Sequence, residues 1–209
     1  MIEARGSLFI ISAPSGAGKT SLVKALVEKD GNLLASVSHT TRSPRPGEKE
    51  GNNYHFVKKS FFDKMVNQRE FLESAQVFDH FYGTSKLWVQ SQLEAGTDVV
   101  LEIDWQGAKQ IKERMPLACA IFILPPSKNA LQERLMSRGQ DNPEVIERRM
   151  DQAVNEMSHF ESSDYLVLNR NFEEALNELE VIVKAQRLRT VNRSRSLGNI
   201  LSDVLKFGN

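Results

Sequence analysis

SLFIIS-APSGAGKT-SLVKALVEK, residues 7–29, is a short apolar run, a glycine-rich turn and a stretch of helical spacing with a charged outer face, in that order. Strand, loop and helix in immediate succession give the turn its meaning. The backbone of Ala13, Pro14, Ser15, Gly16, Ala17 and Gly18 can surround phosphate oxygens, every residue but Pro14 offering an N–H, and the following helix adds free N–H groups and the positive end of its dipole. Gly16 and Gly18 permit the close backbone approach. Lys19 can reach the β and γ phosphates of a nucleoside triphosphate, and Thr20 can place its hydroxyl on Mg²⁺. The usual pattern starts with glycine where this chain has Ala13. Ala13 precedes Pro14, which biases it to an extended backbone that alanine adopts without strain.

Outward from that turn, Leu33 to Ser38, Asp98 to Ile103 (DVVLEI) and Ala118 to Leu124 (ACAIFIL) read as further strands, the last two apolar enough to be covered on both faces. Helical patterns at 108–114, 129–138 and 143–160 alternate with them, followed by a strand at 165–168 and a last helix from Phe172 toward Arg189. This alternation predicts an α/β fold with a mostly parallel central sheet flanked by helices. Two parts break the rhythm: Thr41 to Tyr82, which mixes turn residues with short alternating runs, and Gly139 to Pro143, a turn-rich joint between helices. Both are read as mobile insertions, and the basic tail after Lys184 as a solvated helix end.

The 209 residues, 40% of them hydrophobic, can build one sizeable core. Twenty-seven basic and 27 acidic side chains cancel, so net charge gives no attraction to nucleic acid or to an anionic membrane surface. Cys119 is the single cysteine, lies in an apolar run and has no partner for an intramolecular disulfide, which fits a reducing compartment. The first residues do not read as a signal peptide, and no apolar stretch reaches spanning length. A cytoplasmic location is expected. The four histidines show no metal-ligand spacing.

The segment 36–54, SVSHTTRSPRPGEKEGNNY, sets Arg42 and Arg45 around Ser43-Pro44, with Pro46-Gly47 following. Two guanidinium forks on a proline-stiffened loop suit a terminal phosphate, although the same pair reads equally well as charge on a solvated turn. In LEID, Glu102 and Asp104 stand two apart and share a face if the strand runs through Asp104. Arg134 and Arg138, four apart, share a helical face, and Arg148 and Arg149 lie across the joint. Glu73, in the alternating run EFLESAQ, reads on its own as an outward charge.

SVSHTTRSPRPGE, FLESAQVF, FYGTS, LEIDWQG and the phosphate loop occur together in the order seen in guanylate kinases, and from about Gly6 to about Arg189 the chain resembles that family in its bacterial type. The resemblance implies a P-loop kinase fold in one unit: a core of about 6–38, 84–127 and 160–190, a GMP-binding segment of about 39–83 and a helical lid of about 128–159. It implies transfer of the γ-phosphoryl group of ATP to GMP with Mg²⁺. By the same resemblance Arg42, Arg45, Tyr54 and Tyr82 hold the GMP phosphate, and Ser38, Glu73 and Thr84 read the base. Glu102 and Asp104 would lie between GMP and the Mg²⁺–ATP phosphates, Asp104 through metal-bound water. Many members carry aspartate where this chain has Glu102. Arg134, Arg138 and Arg149 would reach the ATP phosphates. Where relatives often show Asn followed by acids near the adenine, this chain has Asn169, Arg170 and Asn171, so only Asn169 carries over. Competing readings are a related kinase of another small phosphate ester and a non-catalytic guanylate-kinase-like binding module. Neither a membrane nor a nucleic acid is an expected partner, and a homo-oligomer stays open.

Overall fold

The computed structural model describes residues 6–77, 79–137 and 143–206. Along the chain run β1 (Leu8–Ser12), α1 (Lys19–Lys29), β2 (Leu33–Ala35), β3 (His39–Thr40), β4 (His55–Phe56), α2 (Lys59–Asn67), β5 (Phe71–Val77), β6 (His80–Ser85) and α3 (Lys86–Glu94). There follow β7 (Asp98–Glu102), α4 (Trp105–Arg114), β8 (Cys119–Leu124), α5 (Lys128–Ser137), α6 (Pro143–Met157), β9 (Tyr165–Leu168), α7 (Phe172–Leu188), α8 (Thr190–Ser196) and α9 (Gly198–Val204).

The central sheet has the order β2-β7-β1-β8-β9, and every pairing in it is parallel. All five residues of β1 are buried, because a parallel strand is covered on both faces. Their alternation sorts them into two cores. Phe9 and Ile11 pack with Leu22 and Leu26 of α1 and Leu176, Leu179 and Val183 of α7. Leu8 and Ile10 pack on the other face with Val89 and Leu93 of α3 and Ile111 of α4. Since β1 has β7 on one side and β8 on the other, its carboxyl end opens on the crevice where open α/β sheets bind ligands. Asp98 at the start of β7 is almost fully buried and is satisfied by the Ser7 amide at 2.5 Å and by Arg187 Nε at 2.6 Å. Arg187 also forks onto Asp30 at 2.8 and 3.0 Å, tying α7 to the end of α1.

A second sheet, β4-β3-β6-β5, is folded from residues 39–85, with α2 packing its Phe62 and Met65 on Phe71. The sequence predicts only short alternating runs there, and it misses α2 and α3. Each is only nine residues long, at the short end of what apolar periodicity can reveal as a helix. β2 ends at Ala35 rather than at Ser38, because Ser36 leaves the sheet after donating its amide to Val100 O at 3.0 Å. α4 begins three residues before the predicted start, since Asp104 caps it by accepting the Gly107 amide at 2.9 Å. The strand therefore stops at Glu102, and the expectation that Glu102 and Asp104 share a strand face is corrected: Asp104 belongs to the helix cap. Beyond Leu188 the tail forms α8 and α9 instead of simply ending. Among the described residues, no helix is long and apolar enough to cross a membrane.

Candidate active site

The turn after β1 takes the shape that its glycines allow. Gly16 and Gly18 have φ of 89° and 95°, the left-handed region that a side chain disfavours. The Ala17 amide donates to Pro14 O at 3.1 Å, and Ala17 itself is wholly buried. Asn169, buried at the end of β9, supports the turn from beneath by donating Nδ2 to Ala17 O at 2.7 Å. A Cβ on Gly18 would collide with that same amide group. Asn169→Ala is thus expected to destabilise the protein by about 1–2 kcal/mol, seen as a lower urea midpoint at unchanged slope.

Lys19 opens α1 and donates Nζ to Ile103 O at 3.1 Å, so its ammonium lies across the crevice mouth between β1 and β7. Thr20 donates its hydroxyl to Glu102 Oε1. A hydroxyl whose hydrogen is held in this way keeps its oxygen lone pairs for another ligand. The Ser15 amide donates to Glu156 Oε2 at 3.2 Å. Burial raises the pKa of Glu156, with Lys19 opposing. An anion bound at that amide must displace this carboxylate.

Opposite the turn, Glu73 on β5 is buried, against the outward position that alternation alone suggests. Thr84 Oγ1 donates to its Oε1 at 2.5 Å. Burial pushes its pKa up to about 7, while the Thr84 hydrogen bonds pull it down and Asp104 adds to the rise. Arg42 forks onto Glu48 at 2.8 and 2.9 Å, and its guanidinium carbon lies 5.3 Å from the Tyr54 ring centroid. Glu48 is a residue that sequence reasoning missed; the opposite charge just after a Pro-Gly turn is its signal. Tyr54 has its phenol pushed up to about 12, by burial first and the charge of Glu102 second, so it remains an O–H donor.

A single cavity is lined by Ala13, Pro14, Ser15, Gly16, Gly18, Lys19 and Thr20 on one side and by Ser38, Tyr54, Glu73 and Tyr82 on the other, with Glu102 and Asp104 between. The sequence model of the guanylate kinase family matches residues 5–186. The guanylate kinase of Alkalilimnicola ehrlichii is 54% identical over 200 residues, covering 96% of this chain and 98% of that one. That of Hahella chejuensis is 57% identical over 186 residues, 89% of each. The crystal structure of guanylate kinase from Anaplasma phagocytophilum superposes with a TM-score of 0.82 at 31% identity, covering 99% of both chains.

The chain belongs to the guanylate kinase family.

In this guanylate kinase family member several expected residues lie away from the cavity wall. Ala17 is packed beneath the turn, and Thr84 stands behind Glu73. Arg45 is exposed, its backbone amide bonded to Glu48 Oε2 at 2.7 Å. The guanidinium of Arg134 donates to Ala17 O at 3.3 Å and Asn169 O at 3.1 Å, tying α5 to the turn rather than facing the cavity. Asn169 likewise serves the turn. Arg149 is half-buried on α6, and Arg138 lies outside the described residues. Glu156 is the second residue the sequence reading missed. It lies three positions after buried Ala153 on the inward side of α6, which helical periodicity can reveal.

Proposed function

We propose that this protein transfers the γ-phosphoryl group of ATP to GMP, giving ADP and GDP, by direct in-line transfer. What carries the reading is the shared cavity: one wall is the phosphate-binding turn and the other bears Ser38, Tyr54, Glu73 and Tyr82. The turn amides and Lys19 take the ATP phosphates, and Arg42, fixed by Glu48, aims the acceptor phosphate with Arg45, Tyr54 and Tyr82. A GMP phosphate oxygen is already ionised near neutral pH, so it attacks without a general base. Glu73, with Ser38 and Thr84, reads guanine: a carboxylate accepts the adjacent N1–H and N2–H donors together, whereas adenine lacks that pair. Arg134, Arg138 and Arg149 belong to a lid of about 128–159 that closes with the 39–83 segment and excludes water. Asn169 acts on ATP through the turn it supports.

The residues fit Mg²⁺ with the phosphates as fellow ligands. Among the described residues no cluster of three or more His, Cys, Asp or Glu could hold a metal by itself, yet Thr20 offers a hydroxyl oxygen backed by Glu102, and Asp104 lines the same cavity. Hard oxygen donors in small number suit a cation that keeps waters and substrate oxygens. The ion supplies charge neutralisation on the transferred group. Glu102→Gln weakens the acceptor that orients Thr20, so the Mg²⁺ concentration for half-maximal rate should rise about tenfold; a metal titration of the steady-state rate checks it.

The deciding experiment is a coupled assay of ADP release over GMP, AMP, CMP, UMP and sugar phosphates. A strong preference for GMP is expected. Equal turnover of AMP would overturn the acceptor assignment, and absence of any GDP would favour a binding module. Action in the cytoplasm, in purine nucleotide metabolism, completes the proposal; buried Cys119, its thiol pushed up to about 12 by burial, needs no oxidising compartment.

A further inference from the structure

Gly107 is the third residue of α4 and its φ is not positive, so nothing in its backbone calls for glycine. Alanine is the better helix former there. Its surroundings explain the choice. A Cβ built on Gly107 would stand 2.7 Å from Glu73 Oε2 and 3.2 Å from Glu73 Cδ, with Ile103 Cδ1 at 3.3 Å.

The helix has no freedom to retreat from that contact. Gln110, one turn on, is paired with the Ser74 backbone through Nε2 to the carbonyl at 2.8 Å and Oε1 from the amide at 3.3 Å. Arg114, a further turn on, donates to Leu72 O. Residues 107, 110 and 114 share one face of α4, and their contacts on β5 fall on Glu73 and on its two chain neighbours. At the N-terminus, the Gly107 amide is fixed to Asp104. Helix and strand are thus clamped together around the carboxylate, whose other oxygen is held by Thr84. An added methyl group must displace the flexible end of Glu73.

Resting on the reading of Glu73 as the guanine acceptor, we infer that Gly107 is a positioning residue for base selectivity. Its missing side chain is the space in which the Glu73 carboxylate lies, and Gln110 and Arg114 hold α4 at the distance that makes the space matter.

The test compares Gly107→Ala with Glu73→Gln and the wild type, measuring kcat, the KM values for GMP and ATP, the GMP/AMP ratio of kcat/KM, and Tm. Gly107→Ala should raise the KM for GMP about tenfold and shrink the GMP/AMP ratio, with the ATP KM unchanged, kcat within about threefold and Tm no lower. That pattern separates positioning from general damage, because the amide that caps α4 survives the substitution. If Glu73→Gln weakens GMP while Gly107→Ala leaves its KM within about twofold of wild type, the inference about Gly107 fails and the reading of Glu73 stands. If Glu73→Gln leaves the GMP KM unchanged, the reading of Glu73 itself falls and takes the inference with it. A lowered Tm with GMP and ATP equally affected would assign Gly107 to packing alone and overturn the proposal. Should Gly107→Ala fail to fold, Ile103→Val in the same background relieves the contact with the Ile103 Cδ1 atom, and the same four measurements decide.

Discussion

Replacing Lys19 by alanine is expected to lower kcat by about 10³-fold while the protein remains folded. The ammonium is the cation at the crevice mouth, fixed at 3.1 Å from Ile103 O at the head of α1. In phosphoryl transfer, negative charge spreads over the equatorial oxygens, and a positioned cation that needs no reorganisation lowers the barrier more than solvent can. Alanine removes that charge and leaves the turn amides in place, so ATP should still bind, with its KM changed far less than kcat. The GMP KM should hardly move, since the groups proposed to hold GMP belong to other elements. Ile103 is buried but lines the cavity, where water can take the place of the ammonium at its freed carbonyl, so the stability change should stay below about 1 kcal/mol. Arginine at the same position should rescue little, because a planar fork does not reproduce a compact point charge on a flexible stem. Single-turnover rates, steady-state constants and a thermal melt check all of this. A variant retaining a tenth or more of wild-type turnover would remove Lys19 from the chemistry.

Glu73→Gln is expected to lower kcat/KM for GMP by about 10²-fold, because the amide sets an N–H donor against the guanine donors and leaves one acceptor where two stood. The ATP KM should be unchanged. Its pH dependence gives an independent signature. Burial raises the carboxyl from an ordinary value of 4.5 to about 7, so the folded enzyme binds this proton more tightly than the unfolded chain does. The stability linked to protonated Glu73 is complete below the ordinary carboxyl value and is lost as pH rises through about 7. Glutamine, which cannot ionise, should therefore flatten the fall of Tm between about pH 5 and 8. Binding runs the other way: guanine needs the ionised form, so wild-type kcat/KM for GMP should rise with pH through about 7. GMP's own phosphate titrates near about pH 6 in both enzymes, so the difference between the two profiles isolates Glu73. Profiles that superpose would show that its ionisation is not linked to guanine binding.

The glycine-rich turn was legible because the parts that mark it are contiguous, an apolar strand, two glycines, a lysine and a threonine within residues 7–29, although Lys19 and Thr20 find their partners, Ile103 O and Glu102, far along the chain. The parallel sheet was legible for a related reason, since strands covered on both faces are apolar throughout and need no partner to be recognised. The two arginines on the proline-stiffened loop read from sequence equally well as a phosphate hook or as solvated charge, and which of them is anchored could not be read at all. Glu48 orders Arg42 and leaves the Arg45 side chain exposed, a choice made by the fold of the turn.

Periodicity reports which face a residue takes on its own element and nothing about what stands opposite. By itself, then, the sequence determined the glycine-rich turn after β1, the α/β class and the residue types available on the segment that faces the turn. Only the tertiary structure decided that Glu73 points inward, that Glu102 rather than Asp104 meets Thr20 across 82 residues, and that Glu156 reaches the Ser15 amide across 141. The reason is that crossover connections, not local spacing, bring the ends of β1, β5, β7 and α6 to one crevice, and burial there sets whether a carboxylate is a solvated charge or a shaped acceptor.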